Sequence, residues 1–127
     1  MAYSADESVR NILLSSPPVV ALVGLRVYPL KLPVEPTFPA ITYQRISTPD
    51  RQYHTMGDSH LYKAHYIVSC WAMSHDAARA VGEAAIDILS GYRGTYASSI
   101  IVFDDMDDEE PDTGRYRTLL HIYLWSK

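Results

Sequence analysis

The stretch His60-Leu61-Tyr62-Lys63-Ala64-His65-Tyr66-Ile67-Val68-Ser69-Cys70-Trp71-Ala72-Met73 decides the fold. Its even positions, Tyr62, Ala64, Tyr66, Val68, Cys70 and Ala72, are mostly apolar, while the odd set includes Lys63, His65 and Ser69. Side chains alternate between the two faces of a strand, so this period of two predicts one strand with a core face built from the even set. Lys63 and His65 then point away from the core. Directly after it, Ser74 has the chemistry of a helix cap, and Asp76 falls in the first turn, where the helix dipole favours an anion. A helix is predicted over His75 to Ser90. Ala77, Val81, Ala84, Ala85, Ile88 and Leu89 form its apolar stripe, Gly91 is the C-cap candidate, and the alanines allow close approach to a sheet.

Outward from this pair the same logic extends in both directions. Ala40 to Ser47 reads as a strand with Ile41 and Tyr43 on one face and Thr42 and Gln44 on the other. Before it, Arg26 to Pro29 is a short strand, and Pro29, Pro33, Pro36 and Pro39 hold an extended linker that cannot supply a regular ladder. Ser4-Ala5-Asp6-Glu7 fits a capping box opening a helix from Ala5 to Leu14. Ser16-Pro17-Pro18 stops that helix, and a short helical piece follows from Pro18 to Val23, ended by Gly24. Thr48 to Ser59 reads as a long, mobile polar loop. Thr95 to Phe103 and Tyr116 to Trp125 are the last strands. The order predicts a single domain over residues 1–127 of α+β class: a mostly antiparallel sheet of four to five strands packed with two main helices.

The 127 residues are enough for one soluble core without staples. Lys plus Arg total 11 against 15 Asp plus Glu, a net charge of -4, which argues against a general nucleic-acid binder. Seven of those acids, Asp104, Asp105, Asp107, Asp108, Glu109, Glu110 and Asp112, crowd into one stretch; without them the chain has 11 bases against 8 acids, or +3. The sequence therefore reads as an acidic loop on a mildly basic body. The N-terminus lacks the basic and apolar regions of a secretory signal, and Val19 to Leu25 is far shorter than the roughly 20 apolar residues of a membrane span. Cys70 is the single cysteine, read as a buried structural thiol, so neither an internal disulfide nor a thiolate zinc cluster can form.

The residue spacing offers no catalytic constellation. The acidic stretch fails as an EF-hand, because a loop starting at Asp105 would need Gly at Glu110 and a carboxylate at Tyr116. As a two-metal hydrolase site it lacks acids arriving from elsewhere. It reads as a solvated loop that becomes ordered against a partner, and neutralising it is expected to leave thermal stability nearly unchanged. His54, His60, His65, His75 and His121 show no metal-ligand spacing, although His65 and His121 can be neighbours facing solvent on two strands. No Gly-x-Ser-x-Gly elbow or phosphate loop exists. The expectation is a protein without catalytic residues, cofactor or metal.

Aromatic and basic residues interleave at Tyr43-Gln44-Arg45, Arg51-Gln52-Tyr53-His54, Tyr62-Lys63 and Arg115-Tyr116-Arg117. Such pairs can stack bases and meet phosphates, which keeps a nucleic-acid-binding accessory protein as the alternative reading. Ten tyrosines against two phenylalanines favour protein contact instead, because Tyr offers apolar area with a water-tolerant hydroxyl. Tyr43, Arg45, Tyr53, Tyr62, Arg115 and Arg117 are the candidate interface residues.

Several segments together resemble one family. They are Val23-Gly24-Leu25-Arg26-Val27-Tyr28-Pro29, then Phe38-Pro39-Ala40-Ile41-Thr42-Tyr43-Gln44-Arg45-Ile46-Ser47. Gly57 follows, ahead of a strand ending Cys70-Trp71-Ala72, and then the Ala-rich helix closed by Leu89-Ser90-Gly91. An acid-rich turn, Arg115-Tyr116-Arg117 and a last strand ending Leu124-Trp125 complete the set. In this order they are similar to phage tail-completion proteins, or tail terminators. His121 and Ser69 stand where the family pattern has acids, and the acidic run is longer. The resemblance implies a non-enzymatic virion protein assembled in the bacterial cytoplasm as a ring, usually a hexamer, at the head-proximal end of the tail tube. Its implied partners are its own copies, the tail-tube protein, a head-completion or neck protein, and DNA passing through the lumen without specific binding. No membrane is implied. The acidic loop would then face the lumen or contact the neck.

Overall fold

The computed structural model describes residues 5–50, 62–94, 97, 99–110 and 113–126. Helices α1 (Ala5–Leu14) and α2 (Pro17–Val23) precede strands β1 (Val27–Pro29), β2 (Ala40–Asp50) and β3 (Tyr62–Ala72). Helix α3 (His75–Leu89) and strands β4 (Ser99–Glu110) and β5 (Arg115–Ser126) complete the chain. The five strands form one sheet in the order β1-β2-β3-β5-β4. Only the β1/β2 pair is parallel; the other neighbours run antiparallel. The proline-rich segment returns the chain to the start of β2, where the Phe38–Pro39 peptide is cis and the Leu30 N–H bonds the Tyr43 carbonyl at 2.9 Å. The α+β architecture expected from the sequence is the one observed.

The period of two in β3 fixes the core. Ala64, Tyr66, Val68, Cys70 and Ala72 are all buried, and β5 presents Thr118, Leu120, Ile122 and Leu124 on the same side. Val9, Ile12 and Leu13 of α1, Val19 and Val23 of α2, and Val81, Ala85 and Leu89 of α3 close over them. Burial pushes the Cys70 thiol up to about 12, so it is a protonated core side chain, as expected. The Ser74 hydroxyl accepts the Ala77 N–H at 3.2 Å, which satisfies one otherwise unpaired donor at the start of α3. Helix α3 approaches β5 so closely that a Cβ on Gly82 would lie 2.7 Å from Thr118 Cγ2. Among the described residues, all three helices pack on this one face.

Two expectations change. The strand predicted over Thr95–Phe103 runs further: β4 spans Ser99–Glu110, the acids Asp104 to Glu110 belong to a strand paired with β5, and Thr95, Tyr96 and Ser98 of the predicted strand lie outside the described residues. The acids do not form a loop. The long alternating strand β5 offers a full-length partner, and cations and hydroxyls on β5 and α3 offset the repulsion between neighbouring carboxylates. The turn is left to the segment around Thr113 and Gly114, where Gly114 has φ +66 and its N–H bonds the Glu110 carbonyl at 3.0 Å. Asp112 lies outside the described residues. In the predicted loop Thr48–Ser59, residues Thr48 to Asp50 instead continue β2, and the remainder lies outside the described residues, as does Ser4 of the capping box.

Candidate assembly surface

Strand β4 has a bulge where Val102 pairs with Ile122 and Asp104 with His121, leaving Phe103 as the extra residue. The bulge resets which side chains face the helices. Before it, Ile100 and Val102 lie opposite Leu124 and Ile122; after it, Asp105 and Asp107 lie opposite Leu120 and Thr118. Asp107 therefore reaches the helix side. It accepts a hydrogen bond from Thr118 Oγ1 at 2.9 Å and lies 3.0 Å from His75 Nε2. Arg79 Nη1 stands 3.5 Å from Asp105 and 3.7 Å from Asp107. The bond to Asp107 raises the His75 pKa, and the same bond holds the Asp107 carboxyl below the usual carboxylate range.

On the helix-free side, Asp108 faces Arg117, whose Nε and Nη2 both donate to Oδ2, at 2.9 and 2.6 Å. That guanidinium keeps the Asp108 carboxyl in its charged form at lower pH. It also lies 5.2 Å from the Trp71 ring centroid, and Trp71 Nε1 donates to Thr42 Oγ1 at 3.0 Å. Arg115 lies 5.3 Å over Phe38.

Further along the same face, Phe103 stacks on Tyr123 with centroids 4.3 Å apart and 18° between planes. His65 Nε2 and His121 Nδ1 are 3.1 Å apart, so one ring donates to the other. Burial, and then the neighbouring His121, lower the His65 pKa. The cross-strand histidine contact anticipated from the sequence is present.

The sequence-derived interface residues separate. Arg45 is exposed on β2, whereas Tyr43 is 5% exposed and belongs to the core, because it shares parity with buried Ile41. Tyr43 is thus withdrawn as a surface contact. Arg115 and Arg117 are half-buried against their own chain, Tyr62 is the first residue of β3, and Tyr53 lies outside the described residues. Sequence reasoning missed Phe103, His75 and Arg79. The break in alternation at Ile100-Ile101-Val102-Phe103 signals the first, and the i, i+4 spacing of His75, Arg79 and Glu83 signals a charged helix face for the others.

Among the described residues, no three His, Cys, Asp or Glu side chains gather as a metal site would require, and no helix is long and apolar enough to cross a membrane. A cleft of about 250 Å³ lies between Phe38, Pro39, Ala72, Met73, Ser74 and Ala77. Its hydroxyl, that of Ser74, is engaged as the helix cap.

Among curated protein sequences no significant match occurs. Among solved structures, the chain is similar to one from the virion of a native gene transfer agent particle, with a TM-score of 0.69, 17% identity and coverage of 98% of both chains. At that identity the likeness establishes a shared fold. The sequence family described as tail completion protein gp17 matches residues 7–126, which takes in every strand and all but the first two residues of α1. The chain belongs to that tail completion family and is a structural protein of the virion tail.

Proposed function

We propose that the protein assembles as a ring that terminates the tail tube and joins it to the head. The observation that supports this best is the tail completion match over residues 7–126, nearly the whole chain. The ring is hexameric in this reading, and its partners are further copies of the chain, the tail-tube protein, and a head-completion or neck protein. The protein acts by shape and surface, without catalysis or cofactor. A closed ring needs a heterologous interface, in which two different patches of one subunit meet around the axis. A stable contact buries on the order of 1,600 Å² per subunit pair. The acidic end of the β4–β5 hairpin, with Glu109 and Glu110, turns towards the lumen or the neck. Negative charge there lets DNA pass without adhering, because phosphate binding rests on cations.

A nucleic-acid-binding role draws less support, since Arg115 lies over Phe38 and Arg117 is ion-paired with Asp108. The decisive experiment is light scattering with negative-stain imaging of the purified protein, alone and with tail-tube protein. Rings, free or capping tubes, are expected. A strict monomer in both conditions rejects the reading.

A further inference from the structure

Exposed apolar side chains are unevenly placed. Of the ten large hydrophobic residues exposed among the described residues, Leu25 and Leu30 flank β1 and Ile46 lies on β2. Ile101, Phe103 and Met106 lie on β4 at the opposite end, while Val20 and Leu22 are on α2, Val34 is in the proline-rich segment and Met73 follows β3. The ends are four strand spacings apart, roughly 19 Å.

The same two ends differ in charge. Between residues 25 and 46 the chain has Arg26, Lys31 and Arg45 against the single acid Glu35. Strand β4 holds six acids between Asp104 and Glu110 and no base. Both ends are outer strands of the sheet. Strand β4 has β5 as its one strand neighbour, with the Ile100 carbonyl also accepting from the Gly91 N–H at 3.0 Å, and β1 covers β2 only from Ile41 to Tyr43.

An exposed, apolar sheet edge is a template for pairing with another chain, and acids and a bulge are standard protection against pairing with itself. Two β4 edges brought together would oppose acid with acid, above all Asp104, Glu109 and Glu110, since Asp105, Asp107 and Asp108 face cations of their own chain. Two β1–β2 edges would oppose cation with cation. Each edge rejects its own kind and suits the other.

We infer that the β4 edge of one copy seats against the β1–β2 edge of the next, joining the acidic end of one sheet to the basic end of its neighbour. Ile101, Phe103 and Met106 supply apolar contact on one side, and Leu25, Leu30 and Ile46 on the other. Successive copies then repeat one rotation, which gives a head-to-tail ring. The inference rests on the ring reading above and assigns its subunit interface.

The test reverses charge on each edge. Asp104→Lys, Met106→Lys, Glu109→Lys and Glu110→Lys together leave β4 three acids against four bases, which makes its edge basic without touching Asp107 or Asp108, bonded within the chain. Lys31→Glu with Arg45→Glu makes the other edge acidic. Sedimentation of each variant should show assembly weakened at least about tenfold against wild type, because like charges then meet across the interface. An equimolar mixture of the two variants should reassemble, since every contact in an alternating ring is again acidic against basic. Wild-type assembly should also weaken as salt screens the contact. Circular dichroism melts confirm that both variants are folded; Arg45→Gln with Lys31→Gln offers a milder pair giving a smaller loss in the same direction.

Wild-type rings accompanied by unimpaired variants overturn the interface while leaving the ring intact. Impaired variants that fail to recover when mixed overturn it equally. Wild-type protein that remains monomeric even with tube protein removes the ring itself.

Discussion

Strands β3 and β4 flank β5 on opposite sides, are 11 and 12 residues long, and form for different reasons. Strand β3 is specified by its own alternation, with one face buried under the helices. Strand β4 has that character only in its first few residues; beyond Phe103 it is a run of acids that no apolar pattern would place in a sheet. It is held there by its partners. Arg117 faces Asp108 and Thr118 faces Asp107 across the β5 register, and His75 and Arg79 reach down from α3. A strand can thus be imposed by its neighbours even where its own residues favour solvent, provided cross-strand pairs neutralise what burial cannot.

The sharpest way to break this contrast is to remove one large side chain from each strand. Tyr66→Ala in β3 opens a cavity at a residue 1% exposed, and a loss of about 3–5 kcal/mol is expected in urea denaturation. In β4 the most consequential change is Asp107→Ala. It leaves the hydroxyl of Thr118, itself 1% exposed, without its acceptor, and a loss of about 1–2 kcal/mol is expected by the same measurement. That replaces the expectation that neutralising the acids would barely affect stability. Phe103→Ala removes the stacked contact with Tyr123 at a position 44% exposed, and about 1 kcal/mol is expected. Equal losses for Tyr66→Ala and Phe103→Ala would show that the two strands are stabilised alike.

These magnitudes also explain what could be read in advance. The core was legible because burial on one face leaves a period of two in β3 and β5 and a helical stripe in α1 and α3. The class and the order of elements follow from that alone. The acidic half of β4 was not legible, because the groups that order it are remote in sequence: Arg79 and His75 lie on a helix some thirty residues upstream. The bulge was hidden for a related reason. One extra residue shifts every later side chain to the other face, and only the pairing with β5 reveals the shift. Tyr43 was misassigned although its parity with Ile41 was visible, because a tyrosine was weighed as a surface residue before its face was considered.

The smallest expected effects are in pH dependence, and they set the two sides of β4 and β5 against each other. His75 has a raised folded pKa, so its stabilisation is fully present below its ordinary value of 6.5 and is lost as pH rises through the folded value. Asp107 has a lowered one, so its share is present above 3.8 and is lost as pH falls through the folded value. Their bond therefore acts fully between about 3.8 and 6.5. His65 works in the other direction. Its lowered pKa means that the unfolded chain takes up the proton first, so stability is lost as pH falls below 6.5. Melting curves from pH 7.5 to 5 should fall more steeply for His75→Gln than for wild type, and less steeply for His65→Gln. Identical slopes for the two variants would show that neither contact titrates with folding.

Cys70 has a practical consequence for assembly. The chain's single sulfhydryl is sealed in the sheet and held in its protonated form, so a maleimide or a bifunctional thiol reagent finds nothing to attack on the native subunit. The protein is a chemically silent background. One substitution on each edge, Met106→Cys and Arg45→Cys, would introduce the only reactive pair, and a covalent ladder on a denaturing gel would record which surfaces touch, one link at a time.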